Sequence, residues 1–292
     1  MLTTVGRRAE RIHAGADWAH VPRSFLEERD ARKGIPMLLV VSELKGYAIE
    51  ASDGRIGTVR DFLFDDQTWK MRWLVADVGT WWTGHKVLIH PSAIDGVDHE
   101  RRELGLSLTK ERIKGSPDAR EDEPVSRQIE YNLNAYYGWD PMWAGNSYFG
   151  GGAMASPLLS PPLIGGRSPG EAAGIGTGMD EGDPHLRSIT AVTGCHLHAT
   201  DGSIGHLENF MVDDATWTID YLIVDTKNWL PGKHVLLSPH AVKEINYLDH
   251  QIRLRVSRDQ VKASPLWDPV TDIEQSYQRR LHRHYDWPAY GW

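Results

Sequence analysis

The chain contains itself twice, and no other property constrains its fold as strongly. Residues Val41–Pro117 lie over Ile189–Pro265 at a constant offset of 148 without a gap, with 23 identities in 77 aligned positions. The two copies form a small internal comparison. What both keep reports the needs of the fold, and what they do not share reports the chemistry the unit does without.

Each copy reads as short strands with turn signals between them. Asp53-Gly54 and Asp201-Gly202 sit between alternating apolar residues and predict hairpins with type I′ turns. Gly57 and Gly205 follow just inside the next strand, where glycine marks a bulge or tight bend. Asp65-Asp66-Gln67-Thr68-Trp69 and Asp213-Asp214-Ala215-Thr216-Trp217 close that strand with side chains that bond nearby amides. The last strand alternates cleanly as Leu104, Leu106, Leu108 and Ile252, Leu254, Val256, then ends in a helix cap at Thr109 or Ser257. Gln260 completes a capping box in the second copy. Such a series predicts an all-β fold of two tandem small antiparallel barrels with appended helices.

A looser echo follows each barrel. Ile129, Leu133, Tyr136 and Tyr137 in the first tail, and Ile273, Tyr277, Leu281 and Tyr285 in the second, make an apolar helical stripe. Both tails end in aromatic clusters. The predicted organisation is an N-terminal extension at 1–36, a barrel at 37–118 and a helix with aromatic tail at 119–143. A Gly/Pro/Ser linker at 144–187 follows, then a barrel at 188–266 and a second helix and tail at 267–292. Residues 1–36 are polar and weakly patterned, and Met37 is a candidate translation start. The linker composition cannot bury enough apolar area to offset its ordering entropy, so it is expected to be flexible.

The run Leu44-Lys45-Gly46-Tyr47-Ala48-Ile49-Glu50-Ala51-Ser52-Asp53-Gly54-Arg55-Ile56-Gly57-Thr58-Val59, with Asp65-Asp66, Trp69, Leu74-Val75 and Val87-Leu88-Ile89-His90-Pro91, resembles the PRC-barrel family. The second copy resembles it through Ala199-Thr200-Asp201-Gly202-Ser203-Ile204-Gly205 and Val235-Leu236-Leu237-Ser238-Pro239. That family is named for the cytoplasmic domain of the photosynthetic reaction centre H subunit. It also includes the C-terminal domain of a ribosome-maturation factor and stand-alone bacterial proteins. The resemblance implies a tandem protein of the stand-alone branch.

Net charge of −8 supplies no global basic field, so nucleic acid is an unexpected partner. The longest clearly apolar run, Met37–Val41, is too short to span a bilayer. A single cysteine, Cys195, suits a reducing cytoplasm. No shared set of positions combines nucleophile, base and orienting group, so an enzyme is not expected and no cofactor is predicted. Asp77 and Asp225 read as carboxylates that bond loop amides. His196, His198 and His206 are candidate metal ligands, because His196 and His198 share a strand face and His206 returns across the hairpin. Arg279, Arg280 and Arg283 read as a solvated helix face.

The candidates for interaction are Trp81, Trp82, Trp229, Tyr136, Tyr137, Trp139, Trp143, Tyr285, Trp287, Tyr290 and Trp292, because such side chains join large apolar area to a polar handle. The sequence therefore predicts a non-enzymatic interaction or scaffold module with a protein partner, its barrels paired within the chain or in a homodimer. The alternatives are a small-molecule or metal-binding sensor with an inter-barrel cleft, and a factor associated with ribosome or RNA.

Overall fold

A computed structural model describes residues 37–79, 85–117, 127–139, 183–226, 234–267 and 275–288. Of the aromatic candidates, Trp81, Trp82, Trp143, Trp229, Tyr290 and Trp292 lie outside them, as do Ile273, the 1–36 extension and most of the predicted linker.

The first half of the chain supplies β1 (Leu38–Val40), β2 (Ala48–Ala51), β3 (Gly54–Asp65), β4 (Met71–Asp77), β5 (Lys86–Ile89), β6 (Ile94–Asp98) and β7 (Glu103–Leu106). Helices α1 (Lys110–Lys114) and α2 (Arg127–Tyr137) follow. The second half supplies β8 (Leu186–Ser188), the single turn α3 (Ile189–Val192), β9 (His196–Ala199), β10 (Gly202–Asp213) and β11 (Ile219–Asp225). It continues with β12 (His234–Leu237), β13 (Val242–Asn246), β14 (Gln251–Leu254), α4 (Arg258–Lys262) and α5 (Gln275–Tyr285). The offset of 148 carries α2 onto α5, so the register of the repeat holds through the helix.

Two seven-stranded sheets result, with orders β5-β4-β3-β2-β7-β6 and β12-β11-β10-β9-β14-β13. The seventh strand of each comes from the other half of the chain. β1 pairs antiparallel with β10 (Leu38↔Asp213, Leu39↔Val212, Val40↔Met211), and β8 pairs antiparallel with β3 (Leu63↔Ser188, Phe64↔Arg187, Asp65↔Leu186). The physical cause lies in the length of β3 and β10, which have 12 residues against 4 in β2 and β9. The far half of each long strand would be an open edge, and an open edge attracts another strand.

The exchange is centred on one point. Lys70 and Thr218, equivalent positions of the repeat, bridge each other. The Met71 amide donates to the Trp217 carbonyl and the Ile219 amide to the Trp69 carbonyl, both at 2.8 Å. Trp69 and Trp217 adopt φ of 58° and 54° to present those carbonyls. A left-handed tryptophan costs on the order of 1–2 kcal/mol. Burial of the indoles, 6% and 7% exposed, offsets that with roughly 1.5–3 kcal/mol each. Trp217 stacks on Phe62 at 5.8 Å and Trp69 on Phe64 at 5.6 Å.

Core positions repeat as the sheets do. Ile49, Phe62, Leu74, Leu88, Leu104 and Ile113 are buried, and so are Leu197, Phe210, Leu222, Leu236, Ile252 and Val261 at the same offset. Thr109 caps α1, and Ser257 with Gln260 forms the expected capping box on α4.

The all-β architecture with appended helices stands as expected, and four details of it are corrected. The sheets are not wholly antiparallel, since β2 runs parallel to β7 and β9 to β14. β7 returns to β2 after an excursion through four strands, long enough to permit a parallel pairing. Among the described residues no ladder joins β5 to β6 or β12 to β13, so each sheet is an open series. The hairpins are not type I′: Ala51 pairs with Gly54 and Ala199 with Gly202, and positive φ falls on those glycines rather than on the turn residues Ser52-Asp53 and Thr200-Asp201. Asp53 and Asp201 serve another end: each accepts the first amide of the following helix, from Lys110 or Arg258, at 2.8 Å. Tyr136 leaves the helical stripe and is exposed, with its hydroxyl donating to the Arg112 carbonyl.

Leu39 is 2% exposed and seats β1 on the second sheet. Leu39→Ala is expected to cost about 2–4 kcal/mol. It should also speed amide hydrogen exchange at Met211–Asp213, in the other repeat; unchanged protection there would contradict the exchange.

Candidate interaction surface

The paired aspartates after β3 and β10 divide their work. Asp65 Oδ1 accepts from the amides of Gln67 and Thr68 and from the Thr68 hydroxyl, and Asp213 does the same with Ala215 and Thr216. The second aspartate reaches across the repeats. Asp66 takes His185 Nδ1 at 2.9 Å and Arg187 Nε at 2.6 Å, and Asp214 accepts the Met37 amide at 2.8 Å. Arg187 also lies 4.1 Å over the Tyr247 ring. His185 and Arg187 fall within the predicted linker, yet they clasp the first sheet.

A buried ionic cluster anchors the first helix. Arg72, 5% exposed, meets Glu130 of α2, Asp183 at 2.6 Å and Asp65 at 3.4 Å. The Trp73 indole donates to Glu130 at 2.6 Å. The equivalent positions in the second repeat are Asp220 for Arg72 and Gln278 for Glu130, so the cation is replaced by an acid. Burial, and then the charge of Asp213, pushes the Asp220 carboxyl up to about 6.

The described aromatic residues of the predicted tails pack on their own sheets. Tyr137 stacks on Trp139 at 4.1 Å, and Trp139 meets His90 and Trp73. Tyr285 stacks on Trp287 at 4.1 Å, and the Tyr221 hydroxyl and His282 Nε2 share a hydrogen bond of 3.0 Å. Trp139 and Trp287 are half-buried, whereas Tyr137 and Tyr285 are buried with Leu133 and Leu281 beneath the helices.

His196 and His206 stand opposite each other with ring centroids 4.3 Å apart. His198 lies two residues along the same strand, opposite Ser203 and Arg253. Among the described residues no group of three or more His, Cys, Asp or Glu is placed to hold a metal ion. Cys195 points inward, and burial raises its thiol pKa. Asp77 accepts the Gly79 amide at 3.2 Å. Arg279, Arg280 and Arg283 are exposed on α5.

A groove of about 750 Å³ opens on the outer face of the second sheet, lined in part by His198, Lys243, Arg253 and Arg255. The equivalent residues of the first sheet are Glu50, Asp95, Gly105 and Ser107. Lys243 and Asp95 occupy the same bulge, and the charge of the face is inverted from one repeat to the other. Motif spacing does not find this surface. Subtracting the copies at outward strand positions does.

Comparison with known proteins meets this geometry in the first repeat. Residues 39–111 match the PRC-barrel domain family. The match begins in β1 and ends in α1, so it includes the strand that is given to the other sheet. The second repeat lies outside it and reaches the same strand order through its own sequence. An uncharacterised protein of Deinococcus radiodurans is 35% identical over 100 residues, covering 34% of this chain and 36% of that protein. The chain thus spans about a third of that relative's length. No helix among the described residues is long and apolar enough to cross a membrane.

The Asp220 carboxyl titrates near 6 when folded against an ordinary 3.8, so the folded state keeps a proton between about pH 4 and 6 that the unfolded state has lost. Stability falls as pH rises through that window, and the cost, roughly 2–3 kcal/mol, stands in full above it. Asp220→Asn is expected to gain about 1–3 kcal/mol at neutral pH, allowing for partial exposure, and to flatten the window. Urea unfolding at about pH 4.5 and 7.5 checks this; a variant no more stable at the higher pH would contradict it.

Proposed function

We propose that the chain is a non-enzymatic protein-interaction module, built from two PRC-type units of which the second diverged in surface charge. One observation carries this reading: the outward faces of the two sheets share a backbone pattern but differ in charge, with Glu50, Asp95 and Glu103 on the first and Lys243, Arg253 and Arg255 on the second. Among the polar residues kept by both copies, Asp53, Asp65, Asp66 and Thr68 with their counterparts serve turns, caps and the clasp between repeats. A PRC-barrel domain over residues 39–111 is consistent with a role in association. Cytoplasmic residence belongs to the same proposal and draws on the one, buried cysteine.

A second reading, a small-molecule sensor, draws on the groove beside His198 and on the paired rings of His196 and His206. Cross-linking mass spectrometry of the full chain in its own cells separates the two. The interaction reading expects links to protein chains at Lys243 and neighbouring positions of the outward sheet faces. Links confined to the chain itself, together with a metabolite that raises its melting temperature by several degrees, would favour the sensor and contradict the interaction reading.

A further inference from the structure

The two sheet faces differ in shape as well as in charge. In the first sheet, Gly96 of β6 and Gly105 of β7 lie directly opposite each other. A side chain at Gly96 would meet nothing within 4 Å, and one at Gly105 would touch only the Gly96 carbonyl and Asp95 Cβ at 3.8 and 3.9 Å. Glycine inside a strand weakens it, and no crowding demands it here; it leaves bare backbone that another surface can approach closely. Carboxylates surround this hollow. Asp95 flanks Gly105, Glu50 lies beside it on β2, and Glu103 precedes it by two residues on the same face. Burial and the charge of Glu103 push the Glu50 carboxyl up, while Arg55 and Lys110 at the hairpin end pull it down.

The second sheet presents the converse. The positions of Gly96 and Gly105 hold Glu244 and Arg253, both about half exposed and 3.5 Å apart. Arg255 and Lys243 stand exposed on either side, and Arg255 also donates to the His240 carbonyl. Side chains project where the other face is bare, and cations gather where the other face has acids.

We propose that a second copy of this chain docks here, with Arg253 of one copy entering the Gly96/Gly105 hollow of the other and pairing with Glu50, Asp95 and Glu103. Lys243 and Arg255 extend the cationic side of the contact. Because the contact joins unlike faces, a copy whose first sheet is occupied still offers its second. Two copies close into a dimer if both contacts form between them, and otherwise extend into a chain. The inference rests on the interaction-module reading and names one partner for it.

The test is sedimentation velocity of the full chain at low and high salt. Self-association is expected near physiological salt and should weaken at least tenfold at about 500 mM, where charge pairs at a rim are screened. Arg253→Glu with Arg255→Glu carries acidic faces on both sheets, and Glu50→Lys with Glu103→Lys carries basic ones. Each variant alone should lose association at least tenfold while keeping the far-UV circular dichroism of the parent. Mixing the two should restore it. Gly105→Ala, whose added Cβ meets only ordinary contacts inside the chain, should partly fill the hollow and weaken association without lowering the melting temperature. A parent chain that stays monomeric at about 100 µM and low salt, or a mixture that fails to associate, would overturn the proposal. So would a monomer whose groove instead retains a polyglutamate peptide or RNA. The cross-linking result stands apart from these outcomes, since links to other proteins would uphold the module reading without self-association.

Discussion

The exchange of one strand between the repeats is the constraint on which the rest of the structure depends. β3 and β10 are three times as long as the hairpin partners that precede them, so each carries an edge its own repeat leaves open. Three backbone pairs on each side close that edge with a strand from the other repeat. A covalent tether makes the closure intramolecular and raises the effective concentration of the donated strand.

That geometry changes the meaning of the residues both repeats keep. Asp65-Asp66, Thr68 and Trp69 have a complete local explanation as a turn, and the turn is real. In space the same five-residue loop is the junction between repeats. Asp66 holds His185 and Arg187, and the Trp69 carbonyl receives the Ile219 amide. Identity between copies at these positions therefore preserves an interface as well as a turn. The two clasps are chemically unlike. β1 seats through buried Leu39, whereas its counterpart on β8 is Arg187, held by an ion pair and an aromatic ring.

Much of the fold was legible in the chain. The strand series, the caps at Thr109 and Ser257, the glycines beside the bulges at Ile56 and Ile204 and the helices after each sheet follow from periodicity and turn chemistry. Strand partners did not, because Leu38–Val40 satisfies its pattern equally well against either long strand. The parallel β2–β7 pairing left no local mark for the same reason. The Arg72 cluster was hidden because only one copy has it, and a comparison that weighs shared residues passes over it. The charged sheet faces were missed because their members are scattered singly along the strands and meet only across the sheet. The histidines were read from adjacency, and the structure brings His196 and His206 together while leaving His198 beside Arg253.

A single cut in the chain between the repeats tests the central claim most directly. A protease site placed between residues 150 and 180 would separate the halves covalently while leaving both exchanged strands intact. Strand exchange predicts that the two fragments stay together as one particle of the parent's mass in native size-exclusion chromatography and unfold in one cooperative urea transition. Fragments that elute apart as two folded species, each with its own transition, would contradict it.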